Sequence, residues 1–445
     1  MANVRGRPLA VILRASWNGL SFARSLGRRG IPVLLLESER FLGTYTRFGK
    51  VVILPPVDED PHAWMRTLQF VGDRLPDRGV LMPMGDADTL LVSERASQLR
   101  PRFRFVVPPP ETAVQIVDKR LQYAGARRAG VTVPGVHFPG SLEDVRRLSA
   151  EVPLPCLLKP YRSHIGVKAT GRKVAVVRSA GELIASYERL SALGVPVMVQ
   201  EIIPGDDRAL FGYLAFWDGE GREVAWLTKR KLRQNPPCFG DGSLQITVDA
   251  PEVAALSRRL LRAFDYRGFV GVEFKLDAAD GTHYLMEVNP RTVSGNQLAM
   301  SAGVDFPWIG YRYLTGLAPG NESTPTFRRR VKYMNEELDV LAYAALRRSD
   351  GMTFGQWVRS IRGTRSTAIW ARDDPMPLVV GGWRFVRFLL SPSPGPRSAL
   401  RRLTAAHRSA WSLAGGWLRA RVGWRRGRPG ERHHRLDGGG CERLD

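Results

Sequence analysis

Between Gly271 and Arg291 the chain reads GVEFKLDAADGTHYLMEVNPR, two strand-forming runs joined by a polar turn at Asp280-Gly281. Acids stand in this hairpin where strands ordinarily carry hydrocarbon, so any fold built on it must give those acids partners. Glu287 and Asn289 are two residues apart and project from one face, roughly 7 Å apart at a rise of about 3.3 Å per residue. If the first strand pairs near Glu273, a second carboxylate joins them. The cluster is then the all-oxygen set that a hard cation such as Mg²⁺ prefers. Close carboxylates otherwise repel and raise a pKa. A divalent ion removes that conflict, and it commonly binds through one or two carboxylates plus the phosphates of a nucleotide. Arg291 adds a fixed cationic fork beside them. Taken alone, E-x-N in a hairpin is an ordinary pair of solvated side chains; the surrounding motifs favour the metal reading.

Upstream, five short apolar runs alternate with helix-like stretches: Leu9–Leu13, Ile31–Glu37, Val51–Pro56, Val80–Asp86 and Phe103–Pro109. This β-α-β order predicts a parallel sheet. Glu37, ending the second run, sits where a dinucleotide-binding fold keeps its ribose acid. The loop before the first helix has only Gly19 instead of G-x-G-x-x-G, so a nicotinamide cofactor is not expected. The prolines at 108–110 close this domain.

Lysines then appear in places that need an explanation. Lys119 opens a helix, where the macrodipole favours acids, and can reach outward to a phosphate instead. Lys159 interrupts the apolar strand PCLLKP, and a buried amine is expensive unless paired; ATP phosphate is the pairing expected. The stretch Gly166–Gly171 nearly matches a Walker A loop but fails, because Arg172 and Lys173 occupy the Lys and Ser/Thr positions and a strand follows. Ser163–Lys173 reads instead as a lid that closes over phosphates, with a plain surface hairpin as the alternative. Strand alternation places Lys229, Lys231 and Arg233 on one face, either a solvated charged strand or a cationic wall for γ-phosphate and a substrate carboxylate.

The runs VEFKLD (Val272–Asp277) and LMEVNPR (Leu285–Arg291) resemble the metal-binding signature of ATP-grasp carboxylate-amine ligases. The likeness continues through TVSGNQLAMSAGVDFP (Thr292–Pro307), Asp118-Lys119, Leu157–Pro160 and Gln200–Gly205, in the family's order over some two hundred residues. It implies an ATP-grasp fold of mixed α/β and α+β class. A Rossmann-like domain (1–112) would precede a small lid subdomain (113–198) and a larger antiparallel ATP- and metal-binding subdomain (199–318). A helical extension (319–390) and a basic tail (391–445) complete the chain. The resemblance further implies ATP with Mg²⁺ or Mn²⁺ as two ions, held by Glu273, Glu287 and Asn289. Lys119 and Lys159 would contact phosphate, Gln200, Glu201 and Ile203 adenine, and Asp207 the ribose. Arg291, Lys231 and Arg233 would be catalytic, and the loop Gln234–Ser243 would shape specificity. The implied reaction joins a small-molecule carboxylate to an amine through an acyl phosphate. A kinase, a thiol ligase or a non-catalytic nucleotide-binding regulator are the alternatives.

A net charge of +23 raises nucleic acid as a partner. Zinc-finger spacing and RNA-recognition aromatics are lacking, and much of the excess is scattered Arg, so nucleic acid is not expected. The tail from Ser391 is rich in Pro, Gly, Arg and Ser, which favours disorder. Trp411, Trp417 and Trp424 among its arginines make peripheral contact with an anionic membrane the second reading. No apolar run reaches the roughly 20 residues of a membrane span, and Met1–Leu13 is too short for a signal peptide, so a cytoplasmic location is expected. A homodimer is compatible with all of this. Cys156, Cys238 and Cys441 form no C-x-x-C pair and read as bystanders.

Overall fold

A computed structural model describes residues 6–161, 174–317 and 326–390; the expected lid at Ser163–Lys173 and the tail from Ser391 lie outside them. The N-terminal runs form β1 (Ala10–Leu13), β2 (Val33–Glu37), β3 (Lys50–Ile53), β4 (Gly79–Pro83) and β5 (Phe103–Arg104). They are parallel in the order β3-β2-β1-β4-β5. Strand parity sorts their side chains. Ala10, Ile12, Leu35, Val80 and Met82 share a core with Phe22, Ala23 and Leu26 of helix Trp17–Arg28. Val11, Leu13, Leu36 and Leu81 meet Trp64, Leu68, Leu91 and Val92 of helices Pro61–Gly72 and Asp86–Glu94. Burial on both faces is the reason the runs lack polar alternation. β3 stops short of the expected bound, before Pro55, since proline donates no ladder hydrogen bond, and β5 ends at Arg104, well before the expected Pro109.

A small antiparallel sheet follows, of β6 (Val136–His137), β7 (Cys156–Pro160), β8 (Ala175–Val177) and β9 (Val197–Glu201), in the order β6-β9-β7-β8. The large sheet comprises β10 (Leu210–Trp217), β11 (Glu223–Asn235), β12 (Asp241–Thr247), β13 (Gly268–Leu276), β14 (His283–Asn289), β15 (Lys332–Met334) and β16 (Thr364–Thr367). Its order is β14-β13-β10-β11-β12-β15-β16, antiparallel except for the last pair. One face carries Leu214, Phe216, Leu227 and Phe269 into the core of helix Trp17–Arg28, which ties the large sheet to the N-terminal domain. The opposite face carries Tyr213, Trp217, Val270 and Val272 against helices Lys119–Arg128 and Pro251–Ala263.

The C-terminal extension departs from expectation. It is not helical throughout: Lys332–Met334 pairs with β12 as β15, and a helix begins only at Glu336, with the Asn335 side chain as its cap. The available edge of β12 decides the matter, since Leu244, Gln245 and Ile246 find Met334, Tyr333 and Lys332 as partners. Two further helices occupy Phe354–Ile361 and Met376–Leu390. Val331, Tyr333, Leu338, Ala368 and Ile369 share one core with Trp17, Phe41 and Leu42. Arg24 and Asp374, both nearly inaccessible, pair at 2.8 Å across that junction. Among the described residues, no helix is long and apolar enough to cross a membrane.

Candidate active site

The small and large sheets face each other across a cleft of about 240 Å³. Its floor is the hairpin of β13 and β14. Glu273 and Glu287 stand directly opposite one another, and Asn289 lies opposite Gly271. A bulge at Met286 shifts the register just after this pair, and Met286 itself joins the cleft wall. The two acids do not face each other bare. Lys119, at the start of helix Lys119–Arg128 and only 6% exposed, donates to Glu287 Oε1 at 2.7 Å. From β11, Lys231 donates to both oxygens of Glu273, at 2.9 and 2.8 Å. Lysines thus neutralise the carboxylates that were expected to need a cation, and Lys119 points inward at an acid.

Lys159, projecting from β7, completes a cationic roof. Burial, reinforced by the neighbouring Lys119 charge, pushes its pKa down to about 7, against the pull of Glu287 and Glu273. Lys229, on the same face of β11 as Lys231, is pushed down to about 8 by burial. Its stem runs between Gly212 and Gly295, where a Cβ would come within 2.8 Å of it, and its amine donates to Gln245 Oε1 at 2.5 Å. Arg291 is 3% exposed and donates to Asn289 Oδ1 at 2.9 Å. It also donates to Asp86 at 2.6 and 3.3 Å. Asp86 opens helix Asp86–Glu94 of the N-terminal domain, so the parallel sheet reaches the floor of the cleft.

Of the expected site residues, Lys119, Lys159, Gln200, Ile203, Lys231, Glu273, Glu287, Asn289 and Arg291 line this cleft. Three do not. Arg233 is a correction: a bulge at Leu232 breaks the alternation, so Lys231 pairs with Gln245 and Arg233 with Leu244 on the other face. There Arg233 is buried in a bidentate pair with Asp339, at 2.9 Å for both contacts, and binds Ser360 Oγ. Gln234 takes the cleft position in its place and accepts from Lys231 at 2.9 Å. Asp207 accepts from the Gln234 backbone, the Gln234 side chain and the Cys238 backbone at 2.7, 2.8 and 3.0 Å, which turns it to the end of β11. Glu201 is engaged with Gly135, its carboxylate accepting at 2.8 Å and its amide donating at 3.0 Å.

Several wall residues escaped the sequence reading. Asp86 follows Gly85 at the carboxyl end of a parallel strand, the position at which open α/β sheets bind ligands, and that was its only signal. Lys275 and Cys238 also line the cleft, although all three cysteines read as bystanders. Cys156 does fit that description: it is buried, and burial pushes its thiol up to about 12. Cys441 lies outside the described residues. Glu37 accepts from the amides of Ala15 and Ser38 at 2.7 and 2.8 Å, which commits both of its oxygens to backbone and agrees with the lack of a dinucleotide fingerprint.

A metal ion finds a sparse protein set here. Among the described residues no three His, Cys, Asp or Glu side chains cluster as a metal site. Glu273, Glu287 and Asn289 supply two carboxylates and an amide oxygen on adjacent strands, which fits an ion that takes its remaining ligands from phosphates and water.

The arrangement of folds has counterparts. The N5-carboxyaminoimidazole ribonucleotide synthetase of Thermus thermophilus superposes with a TM-score of 0.53 at 20% identity, covering 73% of this chain and 81% of that one. The L-amino acid ligase of Bacillus licheniformis does so with a TM-score of 0.54 at 18% identity, covering 70% and 74%. In sequence, the carbamoyl phosphate synthase large chain of Thermus thermophilus is 27% identical over 223 residues, 48% of this chain and 20% of that protein. The chain thus spans about a fifth of the length of this curated relative. Parallel domain, facing antiparallel sheets and opposed acids are arranged as in the ATP-grasp class of fold. Within that class, residues 195–337 match the family described as "ATP-grasp in the biosynthetic pathway with Ter operon".

Proposed function

We propose that the protein is an ATP-dependent ligase that joins a carboxylate to an amine, with release of ADP and phosphate. The observation that carries this reading is the opposed pair Glu273 and Glu287, each held by a lysine, with Lys159 and Arg291 in the same cleft. Adenine would lie along β9 near Gln200 and Ile203. Lys119 and Lys159 would exchange their present surroundings for phosphate oxygens. Glu273, Glu287 and Asn289 would hold Mg²⁺, which would supply Lewis-acid charge to offset that of the phosphates. Lys231 and Arg291 flank the place where the γ-phosphoryl group meets a carboxylate. A carboxylate oxygen attacks the γ-phosphorus, the bond to ADP breaks, and an acyl phosphate results. The neutral amine then attacks its carbonyl carbon, phosphate leaves, and the nitrogen gives up one proton to solvent. No side chain forms a covalent bond; alignment and electrostatics do the chemistry.

Release of ADP across a panel of carboxylate and amine pairs tests the activity. With the productive carboxylate and hydroxylamine in place of the amine, a hydroxamate should form in step with ADP and phosphate. AMP and pyrophosphate among the products would mean adenylation and overturn the reading.

A further inference from the structure

Beside the cleft, and sharing Asp86, Arg291 and Ser294 with it, lies a second hollow. It sits at the carboxyl ends of β1 and β4, neighbouring strands whose following helices leave to opposite faces of the sheet. Such switch points are where open α/β sheets accept ligands. Two acceptors face this hollow. The Asp86 side chain, 31% exposed, spends part of its capacity on Arg291 and keeps lone pairs in reserve. Asn18 is 6% exposed. Its amide nitrogen donates to the Thr292 carbonyl at 3.1 Å, which fixes the orientation of the amide. Its Oδ1, buried, has no hydrogen-bond partner among the described residues. A buried amide oxygen of this kind calls for a donor. Trp17 and Phe41, edge to face at 5.5 Å, and Met84 form the apolar part of the wall, which Ser16, Ser294 and Arg14, itself paired with Asp88 at 2.8 Å, complete. The free volume, about 30 Å³, holds roughly two water-sized groups at ~10–15 Å³ each.

Resting on the ligase reading, we propose that this hollow is the acceptor subsite and takes a primary amine on an unbranched carbon. The nitrogen donates to Asp86 and Asn18 Oδ1, and the methylene lies against Trp17 and Phe41. A carboxylate is turned away by Asp86. A substituent on the carbon beside the nitrogen exceeds the space. Bound here, the nitrogen lies next to Arg291, on the side of the cleft where the acyl phosphate would form.

The test is equilibrium binding to the full chain saturated with Mg²⁺ and AMP-PNP, read by ligand-observed NMR. n-Butylamine, sec-butylamine, 1-butanol and butyrate are the probes. n-Butylamine is expected to bind about tenfold or more tightly than the other three, the worth of one charge-assisted hydrogen bond. Asn18→Leu should weaken it by a similar factor with AMP-PNP affinity unchanged, and Asp86→Asn should weaken it likewise. Preference for butyrate, equal binding of the two amines, or indifference to both substitutions overturns the proposal. Should Asp86→Asn fail to fold, the wild-type selectivity series decides alone. Failure of AMP-PNP to bind would strike the ligase reading instead.

Discussion

Lys159 has the most perturbed amine in the cleft, with a pKa of about 7 in the unliganded protein. A polyphosphate would restore its charge, so between pH 7 and its ordinary value near 10.5 nucleotide binding must take up a proton. Affinity for Mg·ATP should therefore fall as pH rises from 7 to 9, with uptake near pH 8 approaching about one proton per nucleotide. Calorimetry in buffers of differing ionisation enthalpy reads this directly, and Lys159→Met should flatten the slope. The sign for folding is the reverse. Over the same window the unfolded chain holds a proton that the folded protein lacks, so the contribution of Lys159 to stability rises with pH. Glu287→Gln keeps a hydrogen-bond acceptor for Lys119 but loses the carboxylate charge proposed to hold Mg²⁺. ADP formation should vanish while the melting temperature holds; wild-type turnover would remove Glu287 from the site. Arg291→Lys preserves charge but cannot reproduce the fork that now grips Asp86 and Asn289 together. Its hydroxamate yield should fall more than its nucleotide affinity, and equal losses would place Arg291 in ground-state binding.

At the scale of the element, the bulge at Leu232 sends two adjacent cations of β11 to different duties. Lys231 faces the cleft. Arg233 faces Asp339, which is inaccessible to solvent and also accepts from Ser243 Oγ at 2.7 Å and Trp357 Nε1 at 2.8 Å. This cluster pins helices Glu336–Ser349 and Phe354–Ile361 to the large sheet. Arg233→Met leaves the Asp339 carboxylate buried without its cation, a change worth about 3–5 kcal/mol of lost stability. The melting temperature should drop accordingly, and the protein that remains folded should bind Mg·AMP-PNP as before. An unchanged melting temperature with weakened nucleotide binding would return Arg233 to the cleft wall.

Across the whole molecule, the C-terminal extension is a structural part of the body. It contributes β15 and β16 to the large sheet, buries Tyr333 and Ile369 against Trp17 and Leu42, and pairs Asp374 with Arg24. A chain ending at Gly316 would expose that core and leave Arg24 buried without its acid. It should lose the cooperative thermal transition, whereas a chain ending at Leu390 should melt with the full-length protein. Retention of a full transition by the shorter chain would make the extension an appendage. The cleft depends on the same integration, because Arg291 is oriented by Asp86 from a domain some two hundred positions earlier in the chain.

Local pattern carried much of this protein. The unbroken apolar runs of β1, β2 and β4 betrayed strands buried on both faces, and Glu273 opposite Glu287 followed from one hairpin with one turn, a relation between near neighbours in sequence. Lys159 was legible because an amine in an apolar strand is costly anywhere. Alternation failed at Leu232, since a bulge is settled by what the partner strand and the helices behind it can accept, and Arg233 went to Asp339 over a hundred residues away. For the same reason the sequence could not give Lys119 to Glu287, Arg291 to Asp86, or Lys332–Met334 to the edge of β12. Residue type and spacing determine which groups need partners. Only the packing of distant elements, which sets distances of a few ångströms between charges, decides which partner each one finds.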